Sequence, residues 1–484
     1  SLDLDGTISN SAGSSALTVS GTSAIGGNIT TDGNQIYTGA ITLTGNSILT
    51  SSSGAITLSS TVNGGSSLTT SSSSNFIASG VIGAGTPLSS LSVTAGGNAQ
   101  YSGNITTTGA ITFNAVGNVD AEGTITLRTT NSNVTLNADS DGDGTGTFYG
   151  GTITINSGSG NVIIRGSTIA NEGYSVVGTG TLTIESNAAS FGSTFTSSYL
   201  SEAATLTGLT IGKSTNTSTV TMNSAISIAG PVTIYGNDIN LNQAITGSGN
   251  ITITAAQDIW MNTGFTQIYS TGSGNFIKLL AKRNISNLTN APSITLTTTG
   301  GDILVASDTD NSGGGFVTIV TGSTFESNGG DITIAGGSTT GSGYAKGYSG
   351  TAWYGEGLRL DGNVNIASSN GNIILRGEAY NGSISTGQGA AGISFYGAAT
   401  GTQTVDINSG TGTILIDAKG YSYTSQYSAA LSFGLENSGD NDTTTIQSAN
   451  TTSSAITINA NHYQAGGNSK AIRNYYKPLT ILAT

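Results

Sequence analysis

Short segments in which an aliphatic residue alternates with threonine recur along the whole chain. The segment Gly39-Ala40-Ile41-Thr42-Leu43 returns fifteen residues later as Gly54-Ala55-Ile56-Thr57-Leu58. A period of two places the aliphatic side chains on one face of a strand and the threonines on the other. The pattern therefore predicts many short β-strands, and further copies begin at Gly109, Gly123, Gly151, Gly249, Gly330 and Gly371.

The linkers between these segments distinguish two all-β architectures. Antiparallel hairpins would repeat two-residue Asn-Gly or Asp-Gly turns between matched strands. In this chain the linkers vary in length, while the sequence of the strand segments recurs. They are too short for a crossover helix, and no window shows a helical period. We therefore predict an all-β fold, a right-handed parallel β-helix rod with loop insertions and about 20 residues per coil, in preference to an antiparallel sandwich array.

Composition indicates which side chains cover the outer face of such a coil. Only 8% of the residues are charged, where about 25% is usual, so Ser, Thr and Asn must provide the polar surface. Hydrophobic residues make up 35% of the chain, which is enough for a continuous core and argues against disorder. Because the chain has no cysteine, it forms neither disulfides nor thiolate metal sites.

The charge balance excludes two classes of partner. With 26 acidic and 13 basic residues, the formal net charge is −13, which opposes binding to phosphate backbones and to anionic lipid. We therefore predict no nucleic-acid partner. The sequence also lacks a run of about 18 apolar residues, so we predict no membrane insertion.

Changes in composition and in the length of the insertions divide the chain into three regions. Residues 1–340 carry the regular strand units, and residues 341–461 continue them with longer insertions that hold more aromatic residues. Residues 462–484 gather basic residues, tyrosines and a proline. We predict regular β-helix for the first region, β-helix with aromatic-bearing insertions for the second, and a cap, linker or docking segment for the third.

An acidic turn follows the predicted strand at Val134. Asp139, Asp141 and Asp143 alternate with small residues before Gly144, a spacing that lets a tight loop present several oxygens to a hard cation such as Ca²⁺. The alternative is a solvated turn whose aspartates cap backbone amides. A second acidic turn, with Asp308 and Asp310, has one carboxylate fewer and is the weaker candidate for Ca²⁺.

Two other sets of residues suggest binding or catalysis. Trp353 and Tyr354 lie in a Gly-rich insertion, where aromatic rings either stack on sugars or pack as a lid on their own coil. A catalytic β-helix needs clustered acids, and Asp302, Asp308 and Asp331 are the residues that neighbouring coils would bring together. The single histidine, His462, makes a histidine-dependent triad along the coils very hard to build, and we predict no enzymatic activity.

Several segments resemble the repeats of filamentous haemagglutinin-type exoproteins, the large secreted partners of two-partner secretion systems. The resemblance lies in Pro231-Val232-Thr233-Ile234-Tyr235-Gly236, in Ile239-Asn240-Leu241-Asn242, in the turn Asp308-Thr309-Asp310 and in Gly329-Gly330-Asp331-Ile332-Thr333-Ile334. It implies a right-handed β-helix that is extracellular, either on a bacterial surface or secreted, and that serves in adhesion or in a biofilm matrix.

These observations lead to one functional expectation and two alternatives. We expect a structural shaft and adhesive segment of a filamentous adhesin, with a glycan or protein on a host or bacterial surface as its partner. The first alternative is an extracellular fibre subunit that associates end to end, because an uncapped β-helix presents unpaired strand edges. The second is a β-helical polysaccharide-degrading enzyme.

Overall fold

The fold is all-β, as the alternating pattern predicts. The computed structural model of the chain contains no helix in the part that it describes. The described residues are 1–10, 13–170, 173–198, 200–202, 204–287, 292–320, 322–348, 355–382, 390–396, 403–421, 428–434, 442–463, 470–474 and 478–483.

The chain forms two compact units. Unit 1 comprises Ser1–Thr219 with Ser227–Gly230, and unit 2 comprises Val220–Ile226 with Pro231–Thr484. The strands of unit 1 are β1 (Leu2–Leu4), β2 (Ile8–Asn10), β3 (Leu17–Val19), β4 (Ser23–Ile25), β5 (Ile29–Thr31), β6 (Gln35–Tyr37), β7 (Ile41–Leu43), β8 (Ser47–Ser51), β9 (Ile56–Leu58), β10 (Val62–Asn63), β11 (Ser67–Ser72), β12 (Phe76–Ala78), β13 (Ser90–Ala95), β14 (Ala99–Tyr101), β15 (Ile105–Thr106), β16 (Ile111–Ala115), β17 (Val119–Ala121), β18 (Thr124–Arg128), β19 (Val134–Asn137), β20 (Thr147–Tyr149), β21 (Thr152–Gly158), β22 (Val162–Arg165), β23 (Thr168–Ile169), β24 (Gly173–Gly178), β25 (Thr181–Glu185), β26 (Phe195–Thr196), β27 (Leu200–Glu202) and β28 (Gly208–Ile211).

The remaining strands belong to unit 2, apart from β30, which has residues of both sets. They are β29 (Val220–Met222), β30 (Ile226–Ile228), β31 (Val232–Gly236), β32 (Ile239–Leu241), β33 (Ile245–Gly247), β34 (Ile251–Ala255), β35 (Ile259–Met261), β36 (Gln267–Ser273), β37 (Ile277–Ala281), β38 (Ile285–Ser286), β39 (Thr295–Thr299), β40 (Ile303–Ser307), β41 (Val317–Val320), β42 (Thr324–Glu326), β43 (Ile332–Gly336), β44 (Ala345–Lys346), β45 (Leu358–Asp361), β46 (Val364–Ala367), β47 (Ile373–Glu378), β48 (Ala391–Tyr396), β49 (Thr404–Asn408), β50 (Ile414–Tyr421), β51 (Ala429–Phe433), β52 (Thr443–Ser448), β53 (Ile456–Tyr463), β54 (Lys470–Asn474) and β55 (Leu479–Ala483).

Each unit is a parallel β-helix whose coils contain three strands, one on each face. In unit 1 the first face is β2-β5-β8-β11-β13-β16-β19-β22-β25-β28 and the second is β3-β6-β9-β12-β14-β17-β20-β23. The third face consists of two sheets, β1-β4-β7-β10 and β15-β18-β21-β24-β27, which are linked by single-residue bridges at Ile82. In unit 2 they are β31-β34-β37-β40-β43-β47-β50-β53, β29-β32-β35-β38-β41-β45-β48-β51-β54 and β33-β36-β39-β42-β46-β49-β52-β55. The strands pair in parallel, so the predicted parallel β-helix is confirmed.

Columns of aliphatic side chains fill each coil. Strand pairing aligns Ile303 with Ile332, then Ile373 and Ile414, and none of these four is more than 1% exposed. In β43, Thr333 lies between the inward residues Ile332 and Ile334, points outward and is half-buried. Burial of one such isoleucine stabilises the fold by about 1.5–3 kcal/mol, so the columns supply most of the stability that a cysteine-free chain requires.

The coils differ in length, and the extra residues lie at a few corners. Coils in the first part of the chain repeat every 18 to 23 residues, as between Ser23 and Ile41 and between Ser67 and Ser90. The coil that contains the acidic turn adds residues, so that Asn133 and Asn161 are 28 apart. The coil that begins with β43 is longer still, with 41 residues between Asp331 and Asn372, and the added residues form insertions such as the one that contains β44.

Close stacking of the backbone explains the glycine that opens many of the strand units. A Cβ atom on Gly330 would overlap the carbonyl oxygen of Gly301 in the coil before it, and one on Gly371 would overlap that of Gly330. A column of buried hydroxyl groups lines the same corner, where Ser409 Oγ donates to the Gly412 carbonyl oxygen at 2.7 Å. Thr298, Ser327 and Ser368 make the equivalent bond to the glycine three residues ahead.

Candidate functional site

The first acidic turn connects β19 to β20. Asp139 begins it in the left-handed region, with φ of 56°, and its side chain is 0% exposed. Asp141 and Asp143 are exposed. Gly146, which follows, lies where a Cβ would overlap the Asp139 backbone nitrogen, so the turn can close only over glycine. The sequence thus places one aspartate beneath the turn and two on its outer side.

Backbone and hydroxyl donors hold the three carboxylates in place. The Gly144 amide donates to Asp139 Oδ1 at 3.0 Å, and the Asp143 amide reaches Asp141 Oδ1 at 3.4 Å. Thr145 donates both its amide, at 3.0 Å, and its hydroxyl, at 2.6 Å, to Asp143 Oδ1. The aspartates therefore cap backbone amides, as one of the two sequence interpretations predicts.

The same geometry brings the carboxylates together. One oxygen from each of Asp139, Asp141 and Asp143 lies within 4.8 Å of the other two. Burial raises the pKa of Asp139, and the Asp143 carboxylate raises it further, while the amides of Gly144 and Thr145 act in the opposite direction. The Thr145 hydroxyl is the main cause of the lowered pKa of Asp143. Asp139 Oδ2 is buried and accepts no hydrogen bond.

The second acidic turn, between β40 and β41, repeats this conformation residue by residue. Asp308 is 0% exposed with φ of 48°, and its Oδ1 accepts the Gly313 amide at 3.1 Å. Asp310 Oδ1 accepts the Ser312 amide at 3.2 Å. Here the Lys346 ammonium lies 3.5 Å from Asp308 Oδ2. The main difference between the two turns is thus that a lysine pairs with the buried aspartate in the second turn.

One of the three acids considered for catalysis, Asp308, lies apart from the other two. Asp302 precedes β40 and Asp308 follows it, so the strand places them about 20 Å apart. Asp302 Oδ1 accepts the amide of Asp331 at 2.8 Å, and Asp331 Oδ1 accepts the amide of Asn372 at 2.7 Å. Asp302 and Asp331 therefore do lie on neighbouring coils, where each bonds the backbone of the next.

Trp353 and Tyr354 lie outside the described residues. In the described part of the same insertion, the Tyr348 ring stacks on buried Phe316 with centroids 5.8 Å apart and is 40% exposed. The Tyr344 hydroxyl donates to Asp417 Oδ2 at 2.7 Å. Tyr348 therefore packs against the preceding coil, Tyr344 bonds a later coil, and each leaves part of its surface to solvent.

A surface network of charges around β47 and β50 was missed by the sequence analysis. The strand register places Arg376 beside Asp417 and Glu378 beside Lys419. The Lys419 ammonium also lies 3.7 Å from the centroid of the Tyr344 ring. Charged residues at alternate positions of two strands, in a chain with so few charges, are the signal that would have identified this network.

The comparisons with known proteins give no family assignment. Neither protein-family models, nor curated proteins, nor solved structures match this chain. Among the described residues, no helix is long and apolar enough to cross a membrane.

Proposed function

We propose that the chain is a non-enzymatic shaft and adhesive segment of a filamentous protein that a bacterium secretes or displays on its surface. The observation that carries the proposal is the role of the acids at the coil corners. Asp302 and Asp331 accept backbone amides of the following coil, in the same way as Asn98 and Asn118 do in unit 1. Aspartates that accept these backbone amides stabilise the stacking of one coil on the next.

The parallel coils support the shaft role. Each strand contributes inward aliphatic residues to columns that pass from coil to coil, and each coil adds main-chain hydrogen bonds to its neighbours. Such a structure grows by repetition, because every repeat contacts mainly the repeats on either side of it. An outer surface of hydroxyl and amide groups with 8% charged residues suits a spacer that separates a binding region from a cell.

The insertions of unit 2 support the adhesive role. The paired positions of strands from β45 onward are 35 to 42 residues apart, so each coil has chain length to spare for a binding loop. The exposed part of Tyr348 shows the kind of aromatic surface that stacks on sugar rings. Trp353 and Tyr354 follow it closely in the sequence. We therefore assign adhesion to this insertion, with a surface glycan or a surface protein as partner.

A binding assay with an activity assay in parallel tests the proposal. The purified chain is applied to a glycan array and to bacterial and host cells, and the release of reducing ends from extracellular polysaccharides is measured. We expect binding without release of reducing ends. The double variant Trp353→Ala/Tyr354→Ala should lose at least tenfold in affinity, because aromatic stacking contributes strongly to sugar binding.

The matched control is the double variant Asp302→Asn/Asp331→Asn. Asparagine keeps the oxygen that accepts the amide of the next coil but has no carboxylate for acid–base chemistry. Binding should be unchanged in this variant. Release of reducing ends by the native chain, with loss in the control variant, would contradict the proposal and establish the polysaccharide-degrading alternative.

A further inference from the structure

We propose that the first acidic turn is a Ca²⁺ site formed by the carboxylates of Asp139, Asp141 and Asp143. The three residues each bring one oxygen to within 4.8 Å of the others. Ca²⁺ binds oxygens at about 2.3–2.6 Å, so two ligands of one ion lie at most about 5 Å apart. The observed spacing therefore fits the coordination shell of a single Ca²⁺ ion.

The buried side chain of Asp139 provides an independent reason for a cation. Its carboxylate is 0% exposed, and its Oδ2 accepts no hydrogen bond. A buried carboxylate is stable only when it is paired with a counter-charge, bound to a metal or neutralised by a proton. Among the described residues, no lysine or arginine forms an ion pair with any of the three carboxylates.

In the second acidic turn, a positively charged side chain lies beside the buried aspartate. Its conformation matches that of the first turn, with Asp308 equivalent to Asp139, and there the Lys346 ammonium lies 3.5 Å from Asp308 Oδ2. The same ammonium donates to Asn311 Oδ1 at 3.0 Å. The second turn thus carries its positive charge on the side chain of an insertion and has Ser312 in place of Asp143.

The side chains around the first acidic turn bond its backbone and leave the carboxylates on its outer side open to solvent. Asn187 Nδ2 donates to the Asp139 carbonyl oxygen at 2.8 Å, and Lys213 Nζ donates to the Asn187 carbonyl oxygen at 3.2 Å. The nearest lysine in this hydrogen-bond network is thus engaged by a backbone group. Since Asp141 and Asp143 are exposed, water can complete the six to eight oxygen ligands that Ca²⁺ takes.

Isothermal titration calorimetry with CaCl₂ tests the proposal on the chelator-treated full chain. We expect one saturable site with a Kd on the order of 10⁻⁴ M, the range of extracellular Ca²⁺ modules. The variant Asp143→Ser, which copies the residue of the second turn, should weaken binding at least tenfold. It should fold normally, because Ser312 occupies the equivalent position in the same conformation. Circular dichroism checks the fold.

The matched control is Asp310→Asn, which removes an exposed carboxylate from the second turn and should leave the affinity unchanged. The melting temperature should rise with CaCl₂ in the native chain and in the control, and should rise far less in Asp143→Ser. Two results would overturn the proposal. One is the absence of saturable heat together with an unchanged melting temperature at about 10 mM CaCl₂, which would mean that a proton neutralises Asp139. The other is unchanged affinity in Asp143→Ser.

Discussion

Aspartate and asparagine act as equivalent acceptors at the corners of this coil. Asn98 Oδ1 accepts the Asn118 amide at 2.9 Å, and Asp331 Oδ1 accepts the Asn372 amide at 2.7 Å. Both side chains are short enough to reach the backbone of the next coil and present the same carbonyl-type oxygen. The sequence alone could not separate this role from catalysis, because either aspartate or asparagine can accept the amide at a corner.

The corner at Asp331 allows this equivalence to be measured. Replacement by alanine removes the acceptor for the Asn372 amide, which should cost about 1 kcal/mol and speed its hydrogen exchange roughly fivefold. Replacement by asparagine keeps the oxygen, so exchange should stay within twofold of the native rate. Amide exchange followed by NMR or mass spectrometry provides the readout. Equal acceleration in both variants would show that the negative charge of Asp331, rather than its acceptor oxygen, protects the amide.

The acidic turns show which part of a site the sequence can predict. The spacing of Asp139, Asp141 and Asp143 identified both the amide capping and the cluster of oxygens, because both depend on residues within one short turn. The pairing of Asp308 with Lys346 could not be predicted. It depends on β44, which an insertion returns to the turn through backbone bonds between Gly315 and Lys346.

At the scale of the strand, the alternating pattern predicted the elements but not the face on which each lies. The two opening copies of the repeated unit became β7 and β9, which occupy different faces of one coil. All three faces bury the same alternate positions, so the pattern specifies only which side chains point inward. The face is set by the number of residues between corners, and this number varies along the chain.

The whole molecule is stabilised largely by apolar columns and main-chain ladders, since only 8% of its residues are charged. Several tyrosines belong to the columns of unit 1: Tyr37, Tyr101 and Tyr174 are at most 2% exposed. Burial raises the pKa of all three phenols, and the nearby Asp120 carboxylate adds to the effect at Tyr101. Their neutral form is therefore part of the folded core.

This dependence predicts a limit of stability at alkaline pH. In the unfolded chain a tyrosine loses its proton near pH 10, whereas the buried phenols keep theirs to higher pH. The stability that they contribute is therefore complete below about pH 10 and falls above it, by about 4 kcal/mol per pH unit for three groups. A net charge of −13 adds repulsion in the same direction, because the lysines lose their charge there too.

Thermal melts across the pH range provide the measurement. The melting temperature should be nearly constant between about pH 7 and 9 and drop steeply above about pH 10, with tyrosinate absorbance rising as unit 1 unfolds. Replacing Tyr101 by phenylalanine removes one ionisable group from the core, so the fall should become shallower. The same change at exposed Tyr149 is the control and should leave the profile unaltered. A native profile that stays flat to about pH 12 would show that the phenols ionise without loss of the core.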